Sequence, residues 1–282
     1  MKLKYQIIKV LNNNSILAKQ GDDEVILLAK GIGFQKKVND IFEAPVNAKT
    51  FLMVKQDEDK KKTQDILKNV NPIYIEIASE IIRYATEKFD KVDTKILLPL
   101  ADHIDFAIQR LNEGMTITNP FTKDIQLLFP DEYEVAKKAK ELIQKITGQT
   151  INDDEIGYIT LHVHSAISKE HVYESMEATQ VIHESIEQLQ KDLKIEIDSH
   201  SISYIRLMNH IKFLFLRLQT HEQLQMNISD FTKERFPFAY QEAENICLKL
   251  SKVLHQDIPH SEIGYLALHL ERILSISLQN EN

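Results

Sequence analysis

The octet "EIGYITLH" at 155–162 recurs as "EIGYLALH" at 262–269, an offset of 107 residues. The same offset lays "HIDFAIQRL" on "HIKFLFLRL", so that His103 falls on His210 and Arg110 on Arg217. Phe129-Pro130 falls on Phe236-Pro237, and Tyr133 on Tyr240. Sixty residues in register without an insertion require two copies of one unit, and apolar residues spaced three and four apart make that unit helical. Seven Gly and seven Pro in 282 residues leave little turn punctuation, which favours long helices. The copies are expected at about 65–170 and 171–282, each an all-α bundle.

The first 56 residues have a different grammar. "KYQIIKVL", "SILAKQ" and "EVILLAK" are short β-rich runs separated by "NNN" and "QGDD"; "GIGF", "QKKVNDIF" and a further apolar piece, "TFLMVK", follow, a meander of about four strands. Charge divides the chain at the same place. Residues 1–56 hold nine Lys against five Asp or Glu, while the whole chain has a formal charge of -8. A small basic head on an acidic body implies two tasks. The charged stretch 57–64, without an apolar residue, is expected to link them.

Four of the eleven histidines are related by the repeat: His103 with His210, and His162 with His269. Within a copy the two lie on separate amphipathic helices and are positioned to meet across an interface. Neutral imidazole is a nucleophile near pH 7, and a phosphoryl group on it changes local charge enough to remake an interface. Arg110 and Arg217, two helical turns beyond their histidines, are candidates to hold such a phosphate; pairing with a nearby carboxylate is the other reading. Asn152 and Glu155 have capping-box spacing before the first octet, and Gly114 is a candidate helix end. His164 of "HVH" is expected at the surface, and two histidines two apart on a helix do not share a metal, so no metal or cofactor is expected. No glycine-rich phosphate loop, serine elbow or carboxylate dyad marks an enzyme. The single cysteine, Cys247, fits a reducing cytoplasm, and no apolar run is long enough for membrane insertion.

These motifs in this order resemble the BglG/SacY/LicT family of transcriptional antiterminators of the sugar phosphotransferase system. The resemblance covers nearly the whole chain: "IKVLNNN" and "AKGIGFQKK" in the head, "DHI…R" and "NPF" in the first copy, "HIKF…R" in the second, and the octet in both. It implies a co-antiterminator RNA-binding domain at 1–56 and two regulation domains. The protein would act as a homodimer that binds a leader-mRNA hairpin and prevents terminator formation. Carried over by position, His103, His162, His210 and His269 would be phosphorylated. The donors would be the phosphocarrier HPr and the EIIB domain of a sugar-specific permease. Lys9, Asn12, Asn14, Lys30, Gly31, Gly33, Phe34 and Gln35 would contact RNA, although Ala29 stands where several members have glycine. Phe34 supplies a face for an unstacked base and the lysines supply charge. "NNN" and "GIG" also read simply as turns. The resemblance leaves the sugar open among glucose, β-glucosides and sucrose. A DNA-binding activator with the same regulation domains is the alternative, and it would carry helix-turn-helix segments in place of the strands.

Overall fold

The computed structural model of the chain describes residues 3–53, 57–168 and 171–280, apart from the side chains of 57–62 and 278–280. The head is an antiparallel sheet of β1 (Lys4–Asn12), β2 (Ser15–Gln20), β3 (Asp23–Leu28), β4 (Ile41–Glu43) and β5 (Lys49–Leu52) in the order β4-β1-β2-β3-β5. The sequence reading has about four strands; β4 is the addition. Its three residues pair with Lys4–Gln6, too few to show an alternating pattern. Residues 54 and 55, at the end of the last predicted strand run, lie outside the described residues.

Tyr5, Ile7, Ile16, Ala18, Val25 and Leu27 share the main core face with Ile32. Leu17, Ile26, Leu28 and Phe51, on the opposite face, are buried as well. Burial on both faces explains why "EVILLAK" is continuously apolar and does not alternate. Register shifts between Ile7 and Lys9 and between Val10 and Asn12 bend β1 towards its turn.

The loop after β3 is fastened to that turn. Ala29 N–H donates to Asn14 O, Gly31 N–H to the Asn14 side-chain oxygen and Gly33 N–H to Asn13 O, at 3.0, 2.9 and 3.0 Å. A Cβ on Gly33 would stand 2.1 Å from the Asn12 carbonyl oxygen, so only glycine permits this approach.

The rest is helical. The stretch expected as a linker is the first half of α1 (Asp57–Asn69), since its Asp, Glu and Lys are adequate helix formers. Then follow α2 (Pro72–Lys88), a 3-10 turn at Thr94–Ile96, α3 (Leu97–Asn112), α4 (Thr122–Leu128), α5 (Pro130–Thr147) and α6 (Asp153–Ile167). The second series is α7 (Val172–Leu193), α8 (Ile202–Thr220), α9 (Ser229–Arg235), α10 (Pro237–Val253) and α11 (His260–Asn280). Offsetting α4 by 107 residues reproduces both ends of α9. Gly114 follows the α3 cap residue Glu113 with φ of 72°, and Met115 N–H reaches back to Arg110 O. This is a Schellman closure. Within α11, a Cβ on Gly264 would lie 2.9 Å from the Ser229 backbone, so the octet's glycine sets how closely α11 packs on α9.

Two compact units emerge, and they cut the chain differently from the repeat. One is residues 1–118 with 134–167; the other is 119–133 with 168–282. In the second unit α4 packs on α7 and α8. There Asp124, 3% exposed, accepts from Tyr204 Oη at 2.6 Å and contacts His183 Nδ1 at 2.8 Å. Among the described residues no helix is long and apolar enough to cross a membrane.

Gly33→Ala is expected to cost about 2 kcal/mol through overpacking against Asn12. Gly31→Ala, in open space at φ of 73°, should cost about 1 kcal/mol through left-handed strain alone. Chemical denaturation of the two variants checks the order; the reverse order would mean that the loop relaxes freely.

Candidate functional site

The helices bring each predicted histidine pair together. The His103 and His162 rings, on α3 and α6, have centroids 5.2 Å apart. Those of His210 and His269, on α8 and α11, are 5.0 Å apart. Tyr158 of the first octet lies 5.8 Å from the His103 ring, and Tyr265 of the second lies 6.1 Å from His210. The octet thus supplies a histidine, a flanking tyrosine and, at its first position, a buried carboxylate.

That carboxylate organises each cluster. Glu155, 3% exposed, accepts from Arg110 Nη2 at 2.7 Å and has His103 Nε2 3.2 Å from its other oxygen. Glu262, equally buried, takes a two-pronged contact from Arg217 through Nε at 2.6 Å and Nη2 at 2.8 Å. His210 Nε2 is 3.5 Å from it. The candidate phosphate-holding arginines are therefore paired with carboxylates, the alternative their sequence left open. Only half of the expected capping box forms. Asn152 Oδ1 accepts from Glu155 N–H at 2.9 Å, but the Glu155 side chain turns inward to Arg110 and does not return to the cap. A buried cation outbids an exposed backbone N–H for that carboxylate. Arg110 also stacks its guanidinium 4.4 Å from the Phe106 ring.

Burial favours the neutral form of His162, His210 and His269. Desolvation, then the neighbouring His103, push His162 from 6.5 to about 3. His210 falls to about 3 through burial, His269 and Arg217. His269 is also lowered, by burial and by Arg272 and Arg206. Burial works to raise the Glu155 carboxyl, yet His103 and Arg110 beside it hold it below the usual range. Among the described residues, the buried nitrogens His103 Nε2, His162 Nδ1 and His210 Nε2 have no hydrogen-bond partner. His164, expected at the surface, is buried at 7% exposure; α6 packs Ile159, Leu161, Val163 and Ala166 around it, so the helix has little free face.

In the head, the eight candidate RNA contacts lie on the end of β1, its turn to β2 and the loop stitched to that turn. Lys30, Gly31, Phe34 and Gln35 are exposed, and Phe34 presents 59% of its surface. Gly33 is buried and serves the turn-to-loop approach. Lys9, Asn12 and Asn14 are engaged within the same compact unit. Lys9 Nζ donates to Leu67 O at 3.2 Å, Asn12 Nδ2 to Glu76 Oε1 at 2.8 Å, and Asn14 Nδ2 to Glu76 Oε2 at 3.2 Å. Lys36, two residues after Phe34, lies over Phe42, 5.2 Å from its ring centre. Glu155 and Glu262 were visible in the sequence as the octet's first residue, but the capping motif accounted for the first of them. Nothing local in the sequence marks Glu76.

Burial of the histidines leads to a pH dependence of stability. His162 and His210 are depressed to about 3 in the folded chain. Below 6.5 the unfolded chain therefore binds protons that the folded chain refuses. Stability should be full above that value and fall by about 1.4 kcal/mol per pH unit per histidine as pH drops below it. A second loss begins below about 4.5, the ordinary carboxyl value, where the unfolded chain takes up a proton on Glu155 that the folded chain still refuses. Urea denaturation from pH 7.5 to 4 checks this, with H162Q/H210Q expected to flatten only the upper window; an unchanged slope would show rings that are solvated in the folded state.

Comparison with known proteins agrees with this architecture. The CAT RNA binding domain matches residues 5–60, and the PRD domain matches twice, at 76–166 and 183–273. Protein GlcT of Staphylococcus saprophyticus is 32% identical over 94% of this chain and 96% of its own length. Protein GlcT of Staphylococcus haemolyticus is 32% identical over 95% of each. The crystal structure of GlcT CAT-PRDI superposes with a TM-score of 0.51 at 35% identity, covering 58% of this chain and 98% of that one. The chain belongs to the BglG family of antiterminators: an RNA-binding CAT domain followed by two PRD domains, regulated through the phosphotransferase system and not an enzyme.

Proposed function

We propose that this protein works in the cytoplasm as a homodimer that binds a hairpin in a leader mRNA and so prevents an overlapping terminator from forming. The domains would run 1–56, 65–170 and 171–282, with 57–64 as the connector. Lys9, Asn12, Asn14, Lys30, Gly31, Gly33, Phe34 and Gln35 would form or shape the RNA face. Phe34 offers a stacking surface, and Lys30 supplies backbone charge. His103, His162, His210 and His269 would take phosphoryl groups, the first pair mainly from a sugar-specific permease and the second from HPr.

The observation that carries this reading is the pairing of rings about 5 Å apart in both copies. An attacking imidazole must be neutral, and burial keeps His162 and His210 so. An arriving phosphoryl group would bring nearly two negative charges beside Glu155 or Glu262. Because each of those carboxylates already holds an arginine, the added charge must either share that cation or displace the glutamate. Either outcome reorders helix contacts in a packed interior, where small changes are not absorbed continuously. Moving such a switch from almost wholly off to almost wholly on takes about 5 kcal/mol of differential interaction. The β-sheet head favours this reading over a DNA-binding activator, whose helix-turn-helix segments would precede the repeats.

Replacing His103 and His162 with alanine should leave antitermination on in the absence of the inducing sugar. Replacing His210 and His269 should lower it. A terminator–reporter fusion to the cognate leader reads both, and retained sugar control in the first variant would overturn the assignment. The full chain should shift the leader hairpin in a gel and leave duplex DNA of the same sequence unshifted.

A further inference from the structure

Asn12 and Asn14 are held so that only their donors face outward. Asn12 Oδ1 is consumed by the Asn14 N–H and the Ser15 hydroxyl, both at 2.8 Å. Asn14 Oδ1 is consumed by Gly31 N–H at 2.9 Å. With both oxygens turned inward, the amide orientation is fixed by the network and the two NH2 groups project from the turn. Such a pair selects an acceptor with two closely spaced oxygens: a phosphate, or neighbouring acceptors on a base and its backbone. The acceptor that fills it is the Glu76 carboxylate of α2. Its Oε1 meets Asn12 at 2.8 Å, and its Oε2 meets Asn14 at 3.2 Å. Two further contacts brace the arrangement. Lys49 Nζ lies 2.6 Å from Glu80 Oε1, and Lys9 Nζ donates to Leu67 O. Between head and helix remains a cleft of about 310 Å³ lined by Asn14, Lys30, Lys49, Glu76 and Glu80 among others.

We infer that Glu76 is an internal competitor for RNA: its carboxylate occupies the asparagine donor pair and withholds it from the transcript until α2 withdraws. The inference rests on the RNA-binding reading of the turn given above, and adds to it a named regulatory contact. Two features favour competition over simple packing. First, Glu76 takes both asparagines at once, as a phosphate would, while Lys9 of the same candidate RNA face is engaged by the Leu67 carbonyl of α1. Second, α2 is tied to the helix that carries His103. Asn71, which caps α2, donates its backbone N–H at 3.0 Å to Asp105, two residues beyond that histidine. Phe34 and Lys30 remain exposed in this arrangement, so the face is partly covered, and weak RNA encounter would precede opening.

The test uses the full chain. In protein labelled with 15N-asparagine, Glu76→Ala should move the side-chain amide signals of Asn12 and Asn14; unmoved signals would overturn the inference. RNA hairpins are then selected from a randomised-loop library by wild type and by Glu76→Ala. Affinity for the winning hairpin is measured by fluorescence anisotropy. Glu76→Ala should bind it about fivefold or more tightly than wild type, the lower range of an allosteric coupling. Glu76→Gln, which keeps the shape but one acceptor oxygen fewer, should fall between. Glu87→Ala removes the same charge elsewhere on α2 and should bind like wild type. An equal gain in Glu87→Ala would reduce the effect to net charge and overturn the inference, as would equal affinities throughout, leaving the RNA reading intact. Should neither wild type nor Glu76→Ala enrich any hairpin, the RNA reading itself fails, and this inference with it.

Discussion

A buried carboxylate shared by an arginine and a histidine is the interaction on which the regulatory half of the molecule turns. Glu155 and Glu262 are each 3% exposed, and an ionised carboxylate so placed is tolerable only with a cation and hydrogen bonds around it. Arg110 and Arg217 supply both. The consequence is that the helix carrying the first histidine of each pair and the helix carrying the second are joined by charge, not only by apolar packing. Truncating either arginine would strand a buried charge, whereas adding a second anion beside it forces a redistribution. The same geometry that holds the two helices together therefore makes their contact responsive to charge.

Much of this was legible in the sequence because duplication doubles every signal. His103 or His162 alone is an unremarkable residue on an amphipathic helix; their recurrence at a fixed offset is what marks them, and the rings do meet. Fold class was equally plain, since periodicity changes from strand-like to helical near residue 56. What escaped had physical reasons. The strand β4 is three residues long and depends on β1 for its existence. The run at 57–64 reads as a connector because it has no apolar residue, yet helix propensity needs none. His164 was expected at the surface because its copy is Glu271, but α6 is buried around most of its circumference. Glu155 satisfied a local motif, and the local explanation hid the long-range one.

Glu76 illustrates a further limit. Its copy under the repeat is His183, whose partner is Asp124, so duplication gives no signal there at all. The residue acquires meaning only from the turn it faces, 62 and 64 positions away. That turn is itself prepared by internal hydrogen bonds that leave two donors and no acceptor outward. Sequence shows three asparagines in a row; only the structure shows which of their atoms are already spent.

The two copies are not equivalent receivers of a phosphoryl group under the function proposed above. In the second, the Arg217 fork is filled, Nε and Nη2 each donating to a separate oxygen of Glu262. In the first, Arg110 gives Glu155 a single bond, and its Nε is buried without a hydrogen-bond partner among the described residues. Under that proposal, a phosphate on His103 would meet an arginine bound to its glutamate by one prong, while one on His210 would compete with a carboxylate held by two. Asp102, next to His103, has Asn209 as its counterpart, so the residue preceding the histidine is acidic only in the first copy. The first arrangement would then favour retention of the helix contact with an added anion, and the second its rupture. Two sites built from the same eight-residue motif can in this way transmit opposite consequences from the same chemical change.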